Sequence, residues 1–227
     1  MSIEHDGRFT RHIPPPCHEE ILVSYVDDHF LVVDKPAGLL SVPGRFVKDS
    51  VLHRVLFDYP DAVIVHRLDL DTSGLLVLAL SKKAVSDLNR QFRERSIRKE
   101  YEAEVWGQVT KGRGRIDLPI RPDPDNRPMQ VVDQAAGKSA LTRYEVLDVG
   151  LETTRLRLLP VTGRSHQLRI HLASIGHPIL GDDLYAHRVA FKKAGRLMLH
   201  ATCLGISHPA TGEFMRFQSM VELGSRV

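Results

Sequence analysis

The segment that most constrains this fold is an apolar run that ends at Leu80. Every residue from Leu75 to Leu80 is apolar, and a strand of this kind needs other layers of the protein on both of its faces. A membrane-spanning helix needs about 20 apolar residues, so the run is too short to cross a bilayer. The chain must therefore build a sheet with Gly74–Leu80 in its interior, and the polar residues before the run must lie at one end of that strand.

Other apolar and alternating stretches predict further strands around this one. These strands are Ile21–Tyr25, Phe30–Val33, Val63–His66, Glu100–Trp106, Leu141–Val149, Thr154–Leu159, Leu197–Ser207 and Glu213–Phe217. Capping residues followed by apolar residues at helical spacing predict three helices. The first follows Asp49 or Ser50 and reaches Tyr59, the second follows Ser81, and the third follows Ser165 and ends at Ile175.

These elements predict an α/β fold of the α+β kind, with a mixed, largely antiparallel central sheet flanked by helices and loops. A length of 227 residues suits one domain, which we place at residues 21–222. The run Ile13-Pro14-Pro15-Pro16 favours an extended tether, so residues 1–20 are expected to be a flexible arm. Residues 223–227 are expected to be a short tail.

Several classes of protein can be set aside. The N-terminus has no apolar signal segment, and no apolar run is long enough to span a membrane, which predicts a cytoplasmic protein. Cys17 and Cys203 lie far apart and form no Cys-x-x-Cys pair, so we expect free thiols and no structural zinc. His166, His171 and His177 have no carboxylates at ligand spacing, and the sequence predicts no metal site.

Two motif fragments also fail to indicate a cofactor or a familiar hydrolase. Gly137-Lys138-Ser139 resembles the end of a phosphate-binding loop, but Val132 stands where the first glycine belongs. The segment that begins at Gly163 is not a nucleophile elbow, because Gln167 replaces the second glycine. The sequence therefore predicts no nucleotide cofactor.

Positive charge is concentrated in one segment. The net charge is only +3, yet residues 82–99 carry seven basic residues against two acidic ones, namely Lys82, Lys83, Arg90, Arg93, Arg95, Arg98 and Lys99 against Asp87 and Glu94. Such a cluster suits the neutralisation of phosphates. A solvated helix face explains the same charges equally well.

Two polar constellations remain as candidates for chemistry. In the first, Asp69 lies between two predicted strands, on a loop held by a rigid scaffold, where catalytic groups are often found. The alternative is a polar turn in which Asp69 caps backbone amides. The second constellation runs from Gly163 to His171 and carries Arg164 and Arg169. A structural helix with salt bridges, in which Leu168, Leu172 and Ile175 face the core, explains it adequately.

Four segments together resemble a known family. His66-Arg67-Leu68-Asp69-x-x-Thr72-Ser73-Gly74 resembles the signature of the RluA-type pseudouridine synthases. Asp34-Lys35-Pro36-Ala37-Gly38 resembles the first motif of that family, and Lys99-Glu100-Tyr101 resembles the strand with its active-site tyrosine. The segment from Gly163 to His171, with Gly176–Asp182 after it, resembles the third motif. All four occur in the family's order, over roughly residues 21–222.

This resemblance implies an isomerase that acts on RNA without a cofactor. Asp69 would be the catalytic carboxylate, ionised and paired with Arg169, which lowers its pKa; the choice between nucleophile and base stays open. Tyr101 would stack on the uracil and help to remove the proton from its carbon five. Arg67 would fill the gap left when the target uridine is flipped out of its stack.

The resemblance also implies partners. Three segments resemble the small dual-specificity branch of the family: Ser41-Val42-Pro43-Gly44-Arg45, Arg90-Gln91-Phe92-Arg93-Glu94-Arg95 and Asn126-Arg127-Pro128. The substrates of that branch are a 23S ribosomal RNA hairpin and the anticodon stem-loop of certain tRNAs. An S4-type RNA-binding domain, which many members carry before the catalytic domain, is expected to be absent, and the protein is expected to be a monomer. Further RNA contacts are predicted for a set of basic residues: His66, Arg45, Arg93, Arg127 and Arg164.

Three alternatives stay open. A related synthase with a different single tRNA or rRNA target would carry the same motifs. A catalytically silent RNA-binding protein could share the fold. A glycosidase also uses carboxylates at an anomeric carbon, but it would need a second one, and Asp71 is very close to Asp69 in the sequence.

Overall fold

The computed structural model describes residues 14–223. They fall into two compact units. The discontinuous unit consists of residues 15–102 and 199–223, and the inserted unit consists of residues 103–198. Strand β5 contributes its first residues to the discontinuous unit and its last ones to the inserted unit.

The strands in the described part of the chain are β1 (Leu22–Val26), β2 (Phe30–Lys35), β3 (Val63–Ile64), β4 (Ser73–Ala79), β5 (Arg98–Trp106), β6 (Arg113–Asp117), β7 (Ile120–Pro122), β8 (Gln130–Val132), β9 (Leu141–Val149), β10 (Thr153–Pro160), β11 (Leu199–Ser207) and β12 (Phe214–Gln218). The helices there are α1 (Val51–Val55), α2 (Lys82–Glu94), α3 (Gln167–Ser174) and α4 (Arg188–Lys192).

The sheet of the discontinuous unit is built around β4. Its strand order is β1-β2-β4-β11-β5, with β3 also on β4 and β12 also on β11. Strands β4 and β11 run parallel, whereas β1, β2, β3 and β12 pair antiparallel with their neighbours. This is the mixed, largely antiparallel sheet expected from the sequence, and the α+β fold class is confirmed.

Strand β4 is buried at every position, as its unbroken apolar sequence predicts. Alternate residues of the strand face two different hydrophobic clusters, because side chains alternate between the faces of a sheet. Leu75 and Val77 pack with Leu88 of α2, and Leu76 packs with Val51 of α1. Strand β4, which follows the loop that carries Asp69, is therefore packed against other residues on both of its faces.

The inserted unit holds the end of β5 beside β10, β9 and β6, with antiparallel pairing from β10 to β6. A second, two-stranded sheet pairs β7 with β8. Residues 107–140 thus contain only short strands, as their glycines and prolines predict.

Several local predictions are wrong. Helix α1 ends at Val55 rather than Tyr59, β3 ends at Ile64 rather than His66, and α4 was not predicted. Helix α3 begins at Gln167, and Ser165 does not cap it. The chain turns at His166, the residue before the helix, whose φ is +52° and whose side chain makes no capping bond, and Gln167 Oε1 accepts the N–H of Arg164, ahead of the helix, over 3.0 Å.

Ile175 was predicted to face the core with Leu168 and Leu172, but it is exposed. Within residues 14–223, no helix is long and apolar enough to cross a membrane. The predicted domain limits at residues 21 and 222 stay predictions. Most of the predicted arm, up to residue 13, and the tail from residue 224 lie outside the described residues.

Candidate active site

The loop that carries Asp69 leads from β3 into β4, and the pairing of β4 with its partner strands is interrupted beside it. Strand β3 pairs with β4 up to Ile64 opposite Leu78, and β11 pairs with it again at His200 opposite Ser73. Residues 65–72 span the interval between these two pairings. A gap in the ladder of this kind leaves backbone groups of β4 in need of other partners.

The side chain of His66 fills this gap. Its Nε2 accepts the Val77 N–H over 3.1 Å, and its ring lies 4.6 Å from the ring of Phe92. Burial, with a smaller contribution from the charge of Lys99, lowers the pKa of His66 to about 3. The imidazole is therefore neutral at neutral pH, which its role as an acceptor requires. The predicted RNA contact of His66 stays a prediction, and Nε2 is already occupied by Val77.

Gly74 lies at the start of β4, directly after the loop, in a backbone conformation that other residues rarely adopt. Its φ is +107°, and a Cβ at this position would lie 2.3 Å from the carbonyl oxygen of Ala201 on β11. Glycine is needed for both reasons. The last residue of the His66–Gly74 motif thus allows β11 to approach the end of the loop.

The backbone on both sides of Asp69 is fixed by the segment that follows β2. The Leu68 carbonyl accepts from Ser41 Oγ over 2.8 Å, and the Leu68 N–H donates to the same oxygen over 3.1 Å. On the other side, the Gly38 N–H donates to the Leu70 carbonyl over 3.0 Å. Asp69 therefore sits on a loop whose neighbouring peptides are held in place, which preorganises a side chain for chemistry.

Lys35 contributes to the same fixation from inside the protein. Its side chain is fully buried, and its Nζ donates to the carbonyl oxygens of Pro36, Leu39 and Leu70 over 2.9, 2.7 and 2.8 Å. An ammonium has three protons to donate, and its burial requires that they find partners. The sequence motifs alone predict no role for Lys35 or Ser41.

Asp69 and Tyr101 are brought together in the discontinuous unit. Burial raises the pKa of the Tyr101 hydroxyl, and the negative charge of Asp69 raises it further. The Tyr101 ring packs against the cluster that contains Leu68. Since a buried phenol next to a carboxylate keeps its proton, Tyr101 is a neutral hydroxyl in this state of the protein.

The alternative interpretation of Asp69 as a cap of backbone amides finds no support. Among residues 14–223, no backbone N–H donates to the Asp69 carboxylate. The turn is closed instead by the Thr72 N–H, which donates to the carbonyl oxygen of Asp69 over 3.2 Å. The carboxylate is half-buried, and it is not engaged in capping this turn.

Arg67, beside this carboxylate in the sequence, is exposed. Within the described chain its guanidinium makes no hydrogen bond or ion pair.

Arg45 is also exposed, and its guanidinium lies 5.4 Å from the ring of Phe46. Arg93 is exposed in the last turn of α2. On the same helix Arg90 is paired with Asp87 and Glu94, so the cluster offers fewer unpaired charges than its composition suggests.

Arg169 lies in the inserted unit, on α3, and is almost completely buried. Its Nε and Nη2 donate to both carboxylate oxygens of Asp182 over 2.9 and 2.6 Å, and Nη2 also donates to Asp183 over 2.8 Å. Asp182 in turn accepts the backbone N–H groups of Leu184 and Tyr185. This two-point pairing holds the guanidinium in one orientation. The predicted pairing of Arg169 with Asp69 stays a prediction.

The other two predicted RNA contacts of the inserted unit, Arg127 and Arg164, are exposed. Arg164 Nε donates to the Ser139 carbonyl over 3.3 Å. His166, the residue before α3, has a φ of +52°, and its Nδ1 lies 2.8 Å from the Tyr185 hydroxyl. No group of three or more His, Cys, Asp or Glu side chains in residues 14–223 is arranged to hold a metal ion.

Comparison with known proteins shows one family. The family described as RNA pseudouridylate synthase matches residues 29–174. The chain is 51% identical over 208 residues to the Escherichia coli K12 protein named "Dual-specificity RNA pseudouridine synthase RluA", with 90% of this chain and 95% of that protein covered. It is 53% identical over 207 residues to the Yersinia pestis protein of the same name, covering 89% of this chain and 100% of that protein.

Comparison with solved structures indicates the same family. The chain resembles the structure titled "Human RNA Pseudouridylate Synthase Domain Containing 1" with a TM-score of 0.78 and 30% identity, over 91% of this chain and 85% of that one. The resemblance therefore extends well beyond the segment that the family description matches.

Proposed function

The chain belongs to the RNA pseudouridylate synthase family, and on that premise we propose that Asp69 is the carboxylate that acts on the target uridine. The observation that carries this proposal is the coupling of Asp69 to Tyr101, since the charge of one raises the pKa of the other. The two residues that the motifs single out thus lie within electrostatic reach of each other in one compact unit. A loop fixed at Leu68 and Leu70 presents the carboxylate.

The reaction moves uracil from a nitrogen–carbon to a carbon–carbon bond with the sugar. The N-glycosidic bond breaks, the base turns, carbon five bonds to the sugar, and the proton on carbon five leaves while nitrogen one gains a proton. No atom or electron is added overall. Ionised Asp69 starts this sequence either as a nucleophile or as a base that removes a sugar proton, and both routes use the same half-buried carboxylate.

Tyr101 serves the later part of the reaction. In this proposal its ring stacks on the uracil, and its hydroxyl assists the loss of the carbon-five proton. The raised pKa means that the hydroxyl enters the reaction protonated. The negative charge of Asp69 is one cause of that raised pKa. Loss of this charge during turnover therefore lowers the pKa of Tyr101 and makes its hydroxyl easier to ionise.

Arg67 acts on the RNA rather than on the reacting bonds. A uridine in a stem-loop must leave its stack before a half-buried carboxylate can reach it, at a cost of a few kcal/mol. The exposed guanidinium of Arg67 is planar and suits the gap in the base stack. Arg45, Arg93, Arg127 and Arg164 are exposed and contribute phosphate contacts, which in RNA recognition accompany readout of loop shape.

The substrates we infer are a 23S ribosomal RNA hairpin and a tRNA anticodon stem-loop. The support is the high identity to relatives that are named dual-specificity enzymes, together with the sequence details near Arg45 and Arg127. We place the protein in the cytoplasm as a monomer. A single-target enzyme is the rival, and pseudouridine mapping in a deletion strain decides between the two. Reversion to uridine in only one class of RNA supports the rival, and reversion in both 23S rRNA and tRNA supports dual specificity.

Tritium release tests the chemistry. Wild-type protein is incubated with an anticodon stem-loop RNA and, separately, with a 23S rRNA hairpin, each labelled at uracil carbon five. The matched variant Asp69→Asn keeps the shape of the side chain but removes its charge. Release by the wild type and none by Asp69→Asn, with RNA binding retained, is the expected result. Turnover by Asp69→Asn would remove Asp69 from its role, and no release by the wild type on either RNA would point to a silent RNA-binding protein.

A further inference from the structure

A buried chain of hydrogen bonds connects the end of the Asp69 loop to the carboxylate of Asp34. His200 lies at its centre, on β11. Its Nδ1 is 2.8 Å from Ser73 Oγ, and its Nε2 is 2.8 Å from Ser219 Oγ. Ser219 Oγ donates to Asp34 Oδ1 over 2.6 Å. Asp34, Ser73 and His200 are each at least 97% buried.

With a neutral His200, the direction of the protons in this chain follows from its Asp34 end. The single hydroxyl proton of Ser219 has two acceptors, Asp34 Oδ1 at 2.6 Å and the Val221 carbonyl oxygen at 3.1 Å, and the shorter bond goes to the carboxylate, which can only accept. Ser219 must then accept from His200, which places a proton on Nε2. A neutral imidazole with a proton on Nε2 has an acceptor at Nδ1, and Ser73 donates its hydroxyl proton there. The bonds therefore run one way, from Ser73 to Asp34.

This order matters because of where Ser73 lies. It is the first residue of β4 and follows the turn that Asp69 begins. His200 also pairs with Ser73 through the backbone, as β11 and β4 run parallel there. The side chain of His200 therefore fixes the exit of the loop, while Ser41 and Lys35 fix the residues next to Asp69.

From this geometry we propose that His200 is a positioning residue for catalysis, which holds the Asp69 loop in its reactive geometry through Ser73. The proposal rests on the proposed function of Asp69. His200 does not touch the reacting atoms; it restricts the loop that presents them. A misplacement of about 1 Å can cost about a hundredfold in rate, so loss of the bond to Ser73 should lower kcat.

The test compares two substitutions of His200. His200→Asn places an amide oxygen where Nδ1 was, so Ser73 keeps an acceptor, whereas His200→Leu removes the acceptor with a similar side-chain volume. We expect His200→Leu to lower kcat for tritium release by about tenfold to a hundredfold with KM for RNA unchanged, and His200→Asn to restore most of kcat. Wild-type kcat in His200→Leu, or an equal loss in both variants, overturns the proposal.

His208→Asn is the matched control. His208 is also largely buried in the discontinuous unit, and its Nε2 lies 2.8 Å from Asp27. A loss of this bond should lower the melting temperature and leave kcat unchanged. If His200→Leu does not fold, Ser219→Ala replaces it, because it removes the acceptor that orients His200; an unchanged kcat in that variant overturns the proposal.

A spectroscopic measurement tests the proton order directly. In protein with 15N-labelled histidine, the resonances lost in His200→Asn should be those of a neutral ring with its proton on Nε2. A proton on Nδ1 overturns the ordered chain. Failure of the underlying function is seen separately, since turnover by Asp69→Asn would refute the role of Asp69 whatever the His200 variants do.

Discussion

The buried ammonium of Lys35 donates a hydrogen bond over 2.8 Å to the carbonyl oxygen of Leu70, the residue that follows Asp69. We expect Lys35→Met to destabilise the protein by about 2–4 kcal/mol, because Leu70, Pro36 and Leu39 lose the donor to their carbonyl oxygens. The rate of tritium release should fall as well, since the Asp69 loop loses one of its anchors. Urea denaturation and single-turnover rates measure the two effects.

Lys48→Met is the control for this prediction. Lys48 is exposed and makes one hydrogen bond, to the Gly44 carbonyl. Its substitution should change the free energy of unfolding by less than about 0.5 kcal/mol. If Lys35→Met were as stable and as active as Lys48→Met, the buried ammonium would have no part in holding the loop.

The Tyr101 hydroxyl should titrate above its ordinary pKa of 10.0. Removing the charge of Asp69 in Asp69→Asn should lower this pKa, because a nearby negative charge disfavours the phenolate. Burial is the larger cause, so the pKa should stay above the ordinary value in the variant. NMR titration of tyrosine labelled at Cζ measures the shift, and Tyr25, whose pKa is raised by Asp27, serves as the resonance that should not move.

Tyr101→Phe keeps the ring and removes the hydroxyl, so we expect RNA binding to be retained and most turnover to be lost. In the wild type, no change of rate due to ionisation of Tyr101 should appear below about pH 10. A rate that rose with a pKa near neutrality and lost this rise in Tyr101→Phe would contradict a protonated phenol.

How much of the site the sequence predicts depends on the kind of interaction. The burial of β4 follows from six successive apolar residues, Leu75–Leu80, and the loop position of Asp69 follows from the strands around it. The partners of Lys35 and His200 do not follow, because their bonds join segments up to 127 residues apart in the sequence. Local patterns carry no information on such pairings.

The same limit explains the errors at helix ends. Ser165 has the residue type of a helix cap, but α3 begins only at Gln167, whose side chain accepts from Thr162 Oγ1 over 2.7 Å and from the Arg164 N–H over 3.0 Å. The predicted strand to His66 is wrong for a related reason, because the side chain of His66 replaces the backbone as the partner of Val77. In both cases a side chain takes a backbone role that periodicity does not detect.

The lowered pKa of His66, about 3 against an ordinary 6.5, predicts sensitivity to acid. The unfolded chain binds a proton at His66 below about pH 6.5, whereas the folded protein resists this down to about pH 3. Stability is therefore fully present above pH 6.5 and falls as the pH drops between these values, by at most about 1.4 kcal/mol per pH unit from this group. Urea unfolding between pH 7 and pH 4 measures the slope.

His66→Gln is the informative variant, because its amide oxygen can accept the Val77 N–H but cannot titrate in this range. Its stability should fall less steeply with acid than that of the wild type. Equal slopes in the two proteins would show that His66 is protonated in the folded state or plays no part in the acid response.

Arg67→Ala should affect base flipping more than folding, because the Arg67 side chain is exposed and has no partner within residues 14–223. If the guanidinium stabilises the RNA after the uridine leaves its stack, its loss should matter most where the stack is intact. We expect a fall in kcat/KM of about tenfold to a hundredfold on a stem-loop, equivalent to a few kcal/mol of unstacking, and a much smaller fall on an unstructured oligonucleotide.

Arg113→Ala is the control for general charge loss, because Arg113 is an exposed arginine on β6. Equal effects of Arg67→Ala on both RNAs would reduce Arg67 to a phosphate contact, whereas a selective loss on the stem-loop would assign it to the flipped state.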